Sequence, residues 1–572
     1  MRHLRPALAY LAVIGLVLAA CTATQPTPAP DAEETDDASV PPTDDGTATG
    51  GTVRIGYGGS PDSLNPGNGV LSESYTMYGL VYDTPIGVNS AGEYIPELAS
   101  EWSVADDGVT WTLTIVDSAT FHDGEPLTAE DVAFSILLYQ ATDDFPFLPS
   151  YTDVFESVEA TSETELVITT SDPVGNFESR MAFMYVLPQH IWEAEADPVA
   201  FENEEMIGSG PFMLTEHAQD EFVQLAANTE YWNGPPNVDE VIFQTYSNAD
   251  ARITALTQGD VDMITEFPAT AVSTLQNAEN VEVAITDIAA GGSLRDVFFN
   301  IVEEENCPAD VGVCSGHPAL LDLEVRQALA MAVDKQQIID VATLGLGSPG
   351  LSMVPVGLGD FYASEVEDWP YDPEAAAQVL EDAGYTDADG NGIRECLPDQ
   401  DCPTGDLTFR FNYADDIDTA PREAELLQGM WEQIGVAIEI QGLDPDTLTS
   451  VCCPSFDYDI MLWGWGSDPD ASFLLGVALC TEIDSGFSET GYCNPEFDAL
   501  YEQQGIETDV EARIDLIHQM QQILVEDVVY IIPYYQLYVQ AYRTDTFTGW
   551  PTDDPSLGLE DREALTVIRP AE

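Results

Sequence analysis

Charge sets the first limit on how this chain can fold. It carries 103 Asp and Glu against 15 Lys and Arg, and Lys335 is its only lysine. The acids are spread along the whole chain and are not gathered in a tail. A nucleic-acid partner is excluded by sign, because phosphate contacts need cations. A binder of cations or basic peptides would need acids at one place. The near-absence of lysine is a chain-wide bias that no single site requires. It reads as adaptation to high salt, in which dense carboxylates hold water and ions and salt screens their repulsion.

At 572 residues the chain exceeds what one hydrophobic core supports, and two or three domains are expected. Residues 1–20 stand apart as a signal peptide. Arg2 and Arg5 precede a short apolar run, Leu11 to Ala19, that ends in "LAAC". The run is too short to span a membrane and suits secretion. Residues 21–50 are rich in Thr, Pro, Asp, Glu and Ala, with one valine and no aromatic residue. They bury too little to offset chain entropy, and a disordered acidic tether is expected. No other segment has 18 uninterrupted apolar residues, so the rest is expected to stay outside the membrane. Of nine cysteines, setting Cys21 aside leaves eight, an even number in a chain read as secreted. Cys307/Cys314, Cys396/Cys402 and Cys480/Cys493 are close enough in sequence to clip one loop each. The adjacent Cys452 and Cys453 leave three options open: a vicinal bond, reduced thiols, or pairing with the others.

"TVRIGYGG" from Thr52 reads as a first strand. In "GVTWTLTIV", Trp111, Leu113 and Ile115 share one face of a strand. Helices are expected over Glu324 to Ala342, Asp372 to Gly384 and Glu511 to Asp527. The one from Asp372 has an Asp cap, Pro373 in its first turn and Gly384 at its end. Strands and helices alternate throughout, which makes the class α/β. The stretch "FHDGEPLTAEDVAFSI" (Phe121 to Ile136) places His122 beside Asp123. No serine or cysteine nucleophile sits near it in a recognisable elbow. Thr128 and Asp131 form a capping box ahead of an apolar run, and "HDGEP" is a turn. The pair is therefore read as scaffold, not as a catalytic dyad.

"WTLTIVDSATFHDGEPLTAEDVAFSI" is similar to the signature of the family 5 extracellular solute-binding proteins, the oligopeptide and dipeptide binding lipoproteins of ABC importers. "DSLNP" and "YIPELASEWSVADDG" precede it. "IGSGPFML", "NTEYWNGPPNVDEVIFQTYSNADARITALTQGDVDM", "LDLEVRQALAMAVDKQQII", "DYDIMLWGWGSDPDASFLL" and "YCNPEFDALYEQ" follow in family order. The resemblance covers roughly residues 51 to 545. It implies an α/β, two-lobed periplasmic-binding-protein-like fold (type II, cluster C) with an extra inserted domain. Lobe I would comprise 51–90, 206–290 and 530–572, the inserted domain 91–205, and lobe II 291–529. The hinge would lie near Gly291 to Ile301 and Val528 to Tyr538. "LAAC" resembles a lipobox, which would make Cys21 the lipidated first residue of the mature chain, holding it to the outer face of the cell membrane, in the periplasm or at the cell surface.

The resemblance also implies a function: capture of a peptide or similar-sized solute between the lobes and delivery to ABC permease subunits, by a monomer, with no bond made or broken. An oligosaccharide, opine or metal chelate is the alternative ligand. A secreted hydrolase is the alternative class, and it would need a nucleophile beside a base; a chaperone or signalling receptor on the same scaffold is a third possibility. Candidate ligand contacts are Tyr75 and Tyr78 after the first strand, Arg295 at the crossing, Arg422, and the walls Trp463 and Trp465. Arg422 reads equally well as a surface partner of Glu425. The amine-binding aspartate of peptide binders has no clear counterpart, because "GWGSDPD" is short there; Asp468 is the nearest candidate. No cofactor is expected, with one exception. "DADGNGIRE" imitates the start of an EF-hand calcium loop through Asp387, Asp389, Asn391 and the Ile393 carbonyl. Pro398 takes the twelfth position, where the bidentate Glu belongs. Glu395, and Asp399 or Asp401 brought close by a Cys396–Cys402 clip, are the substitutes. A solvated turn is the bland alternative to a structural Ca2+.

Overall fold

The computed structural model describes residues 50–571 apart from 90–92, 266, 287–292, 399, 401, 404, 416, 467–469 and 553–557. The expected signal and tether with Cys21, and also Asp399, Asp401 and Asp468, lie outside the described residues.

Two large sheets organise two lobes. The lobe I sheet has seven strands, in the order Val281–Thr286, Tyr538–Arg543, Met263–Thr265, Thr52–Tyr57, Glu240–Thr245, Phe222–Ala227 and Phe212–Ala218. Thr52–Tyr57 pairs in parallel with both of its neighbours, and the flanking pairs are antiparallel. The lobe II sheet has six strands: Gly347–Pro349, Tyr530–Gln536, Leu294–Phe299, Ile460–Trp465, Thr408–Ala414 and Ala437–Leu443. Leu294–Phe299 is buried at every position, as expected of a central strand covered on both faces.

The chain passes between lobes twice. The first crossing lies between Thr286 and Leu294. The second lies at Leu537, between Gln536 in one sheet and Tyr538 in the other. Residues 530–536, expected with lobe I, therefore pair in lobe II. "YIIPYYQ" runs straight on into "YVQAYR", and nothing in the local pattern marks where one sheet ends.

The insertion carries a four-stranded antiparallel sheet, with Ala99–Val104, Thr110–Ile115, Glu165–Thr170 and Phe155–Ser162 in that order. Trp111, Leu113 and Ile115 are buried on one face, as their alternation predicts. Its hydrophobic core runs without a break into that of lobe I, joining Trp111 and Ile136 to Val53 and Phe212. His122 secures this junction. Its Nδ1 accepts from the Gly208 N–H at 3.2 Å, and its Nε2 donates to the Gly210 carbonyl at 3.0 Å. Burial keeps the imidazole below its ordinary pKa. Asp123 pairs with His190 at 2.7 Å. Thr128 caps the helix Ala129–Ala141, its own N–H donating to Asp131 at 2.9 Å.

The helices from Asp372 and Asp509 form behind their caps, over Pro373–Asp382 and Val510–Glu526. The expected helix over 324–342 divides into Leu323–Met331 and Lys335–Ala342. Asp334 divides it by turning its carboxylate onto the Gln337 N–H at 2.9 Å and starting a new helix. Disulfides join Cys307 to Cys314, Cys396 to Cys402, Cys480 to Cys493, and the adjacent Cys452 and Cys453.

Candidate functional site

The site is built where lobe II meets the crossing. Leu294, near the start of lobe II, sits opposite Trp465 on one side and Tyr535 on the other. Trp465 thus occupies the hinge end of the lobe II sheet, where it is half-buried. Its ring meets Phe473 edge-on at 5.9 Å and Phe487 at 5.7 Å, and those two lie 5.6 Å apart. Phe473 keeps 37 % of its surface exposed. Three partly open rings in edge contact make an aromatic patch suited to grip a ligand's apolar parts.

Two acids lie behind the patch. Asp296 follows Leu294 by two residues on the same strand face, and Glu489 follows Phe487 by two. Asp296 is fully buried, and neither of its oxygens meets a side-chain donor among the described residues. Burial pushes its carboxyl up to about 7, against the pull of Arg295. Burial, then the nearby Asp296, raises Glu489 as well. The Glu489 Oε2, the Tyr530 hydroxyl and the Trp465 indole N–H are likewise buried and make no well-formed hydrogen bond among the described residues, although the Trp465 indole lies near enough to Glu489, and Thr490 to Tyr530, to offset part of the burial. Such groups are costly to leave unpaired, and they mark a place poised for a proton or a ligand cation.

The insertion reaches this region from the other side. The Gly175 N–H donates to the Gly505 carbonyl at 2.9 Å. A Cβ on Gly175 would lie 2.4 Å from the Glu507 carbonyl and 2.6 Å from that of Gln504, so only glycine permits this approach. Beside it, Arg513 pairs with Asp470 at 2.7 Å inside lobe II. It also donates to Ser472 at 3.0 Å and Gln504 at 3.1 Å. Tyr94 of the insertion lies within electrostatic reach of both charges. The segment bearing Phe473 is therefore held at the boundary between lobe II and the insertion.

Several expected ligand contacts have other roles. Tyr78 belongs to the lobe I core, its hydroxyl aimed at the carbonyls of Ser63 at 2.7 Å and Asn65 at 2.9 Å. Tyr75 packs on it, with ring centroids 5.6 Å apart and only an edge exposed. Arg295 is saturated by protein. It pairs with Glu423 at 3.3 Å and donates to the Trp463 carbonyl at 3.1 Å and to Thr419 at 3.4 Å. Arg422 takes the surface alternative, pairing with Glu425 at 2.9 Å on the helix Ala420–Glu432. Trp463 shares a face with Trp465 but lies in the core, 5 % exposed. Sequence reasoning missed Phe487, Asp296 and Glu489. Phe473 was visible only inside the quoted "GWGSDPDASF".

The comparisons agree with this architecture. The family described as bacterial extracellular solute-binding proteins, family 5 middle, matches residues 93–483, and the chain belongs to it. Members of that family are binding proteins of transport systems, not enzymes. The oligopeptide-binding protein AppA of Bacillus subtilis is 26 % identical over 499 residues, covering 85 % of this chain and 86 % of that one. The solved structure of the ABC transporter substrate binding protein CtaP from Listeria monocytogenes superimposes with a TM-score of 0.77 at 24 % identity, over 92 % of this chain and all of that one. NikA from Brucella suis, in complex with Fe(III)-EDTA, gives 0.75 at 19 % identity over 91 % of this chain and all of NikA. Both likenesses are to the fold.

Proposed function

We propose that this chain is the lipid-anchored receptor of an ABC importer, and that it captures a peptide or similar-sized solute between its lobes and releases it unaltered to a membrane permease. The observation that carries the reading is the aromatic patch of Trp465, Phe473 and Phe487 at the hinge end of lobe II, backed by Asp296 and Glu489. Ring faces attract a ligand ammonium as well as apolar groups, and the acids behind them add to that attraction once they release their protons. The likeness to an oligopeptide-binding protein supports the peptide class. The ligand touches both lobes only in the closed form, so binding shifts the population toward closure. Anchorage would be through Cys21 on the outer face of the membrane, in a salty medium, as a monomer.

Native mass spectrometry of protein purified from its own cells tests this, with a co-bound peptide mass expected. Trp465→Ala should weaken binding of that peptide about ten-fold or more, roughly 1.4 kcal/mol. Trp463→Ala should instead lower stability by about 3–5 kcal/mol, as core tryptophans do. A co-bound oligosaccharide or metal chelate, or unchanged binding by Trp465→Ala, would overturn the reading.

A further inference from the structure

The loop Asp387–Glu395 lies in lobe II and takes no part in the aromatic patch. It links the helix Pro373–Asp382 to the short strand Glu395–Cys396. Asp387 and Asp389 are exposed and Glu395 is buried, yet one oxygen from each of the three lies within 4.8 Å of the others. Carboxylates this close repel unless a cation or a proton sits among them.

Glu395 makes this more than an acidic cluster. It is only 9 % exposed. Its Oε1 accepts from the Ala388 N–H at 2.9 Å. Its Oε2 is buried and meets no donor among the described residues. The nearest cation is turned elsewhere: Arg394 donates to the carbonyls of Ile434 at 2.9 Å and Tyr385 at 2.7 Å. Glu395 is also held firmly, since it pairs with Asp406 across a two-residue ladder next to the Cys396–Cys402 bond.

The rest of the loop is shaped to supply oxygens. Gly392, at φ +91°, makes the sharp turn that other residues resist. Asp387 is fixed by the N–H groups of Gly390 at 2.8 Å and Gly392 at 3.1 Å, and the Asn391 Oδ1 by the Ile393 N–H at 2.6 Å. All the donors on offer are hard oxygens, the set that calcium prefers at high coordination number and with relaxed geometry.

We infer that this loop binds one calcium ion through Asp387, Asp389 and Glu395, with the Asn391 side chain and the Ile393 carbonyl completing the protein's share. Glu395, at the ninth position, does the work that Pro398 at the twelfth cannot. With no bidentate glutamate there, affinity falls in the weak range of extracellular modules, a Kd of roughly 10⁻⁴–10⁻³ M. The ion ties a lobe II surface loop to its core, independently of the ligand between the lobes.

The test is calcium titration of the full chain after chelator treatment, in molar NaCl to screen the many surface acids, with the melting temperature read alongside. One saturable site is expected, with melting raised by CaCl2 and at least ten-fold weaker binding of MgCl2. Asp387→Asn/Asp389→Asn alters exposed groups only and should abolish both signals while the chain still folds. Glu395→Gln should weaken the site ten-fold or more. Glu303→Gln/Glu304→Gln, with an equal loss of surface charge, should leave it intact. No saturable site, equal affinity for magnesium, or an unchanged titration in the double variant would overturn the inference.

Discussion

Asp83 in lobe I and Asp296 in lobe II are both completely buried carboxylates, but their surroundings differ in kind. Asp83 accepts from Arg562 at 2.8 Å, Ser209 at 2.8 Å, Tyr231 at 2.9 Å and Trp232 at 3.0 Å. Arg562 also reaches Glu97 of the insertion and the Gly79 carbonyl at 2.7 Å. One arginine near the C-terminus thus joins the first helix region, the insertion and the chain end. Asp296 has no side-chain donor and no ion-pair partner among the described residues; only its own and the Trp463 backbone N–H groups lie close enough to ease its burial. Lobe II is not short of arginines, for Arg410 serves Asp457 and Asp459, and Arg513 serves Asp470. Even Arg295, the next residue along, turns to the opposite face and Glu423. In a chain with so few cations, arginine goes to acids that hold the architecture together. Two of the buried acids left without one, Asp296 and Glu489, stand behind the aromatic patch.

The comparison predicts its largest effect at Arg562. Arg562→Met leaves Asp83 and Glu97 buried beside no cation, and removing one partner of such a cluster costs about 3–5 kcal/mol. Urea melts should show that loss, with the insertion loosening along with lobe I because the two share one core. A loss under about 1 kcal/mol would mean that the cluster relaxes by taking up protons.

Asp296→Asn comes next, and its signature is a pH dependence. The folded carboxyl sits at about 7, above the ordinary value near 3.9. Between those limits the folded chain holds a proton that the unfolded chain has released. Its contribution is full below about pH 4 and is lost as pH rises through about 7, by up to about 4 kcal/mol if the group titrates alone. Glu489, raised in the same direction, shares the effect. Asp470 moves the other way: burial raises it, but Arg513 outweighs burial and holds it low, so its contribution is lost only in strong acid. Denaturant melts from pH 5 to pH 8 should show the wild type losing stability relative to Asp296→Asn. Parallel curves would show that Asp296 is ionised in the folded chain.

The architecture was legible wherever the signal was local or serial. The alternation of Trp111, Leu113 and Ile115, the caps at Thr128 and Asp372, and an ordered run of family segments each report on neighbours in sequence. The patch is a different kind of object. Trp465 and Asp296 face each other's strands only through a pairing that spans more than 160 residues, and Phe487 arrives from a loop with no periodicity. Tyr78 and Arg295 show the same limit. A residue's type shows what it can bind, but its partners, here two backbone carbonyls and Glu423, are set by the fold. Asp334 is a smaller case, in which a capping side chain overrode a helical period.

The smallest expected effect is the strictest control on the whole comparison. Arg422→Ala removes the same kind of charge as Arg562→Met from the same chain, whose formal net charge is already −88. If diffuse repulsion governed stability, every lost cation would cost alike, and more so at low salt. If location governs, the two must differ sharply. Arg422 and Glu425 form an exposed pair, with side chains 52 % and 64 % accessible. Such pairs contribute about 0.5 kcal/mol or less and fade as salt screens them. Arg562 sits among groups that water barely reaches, so its loss should persist in molar NaCl. Melting both variants in low and high salt separates the cases. Equal losses that shrink together would assign the cost to net charge and erase the distinction between the two lobes' acids.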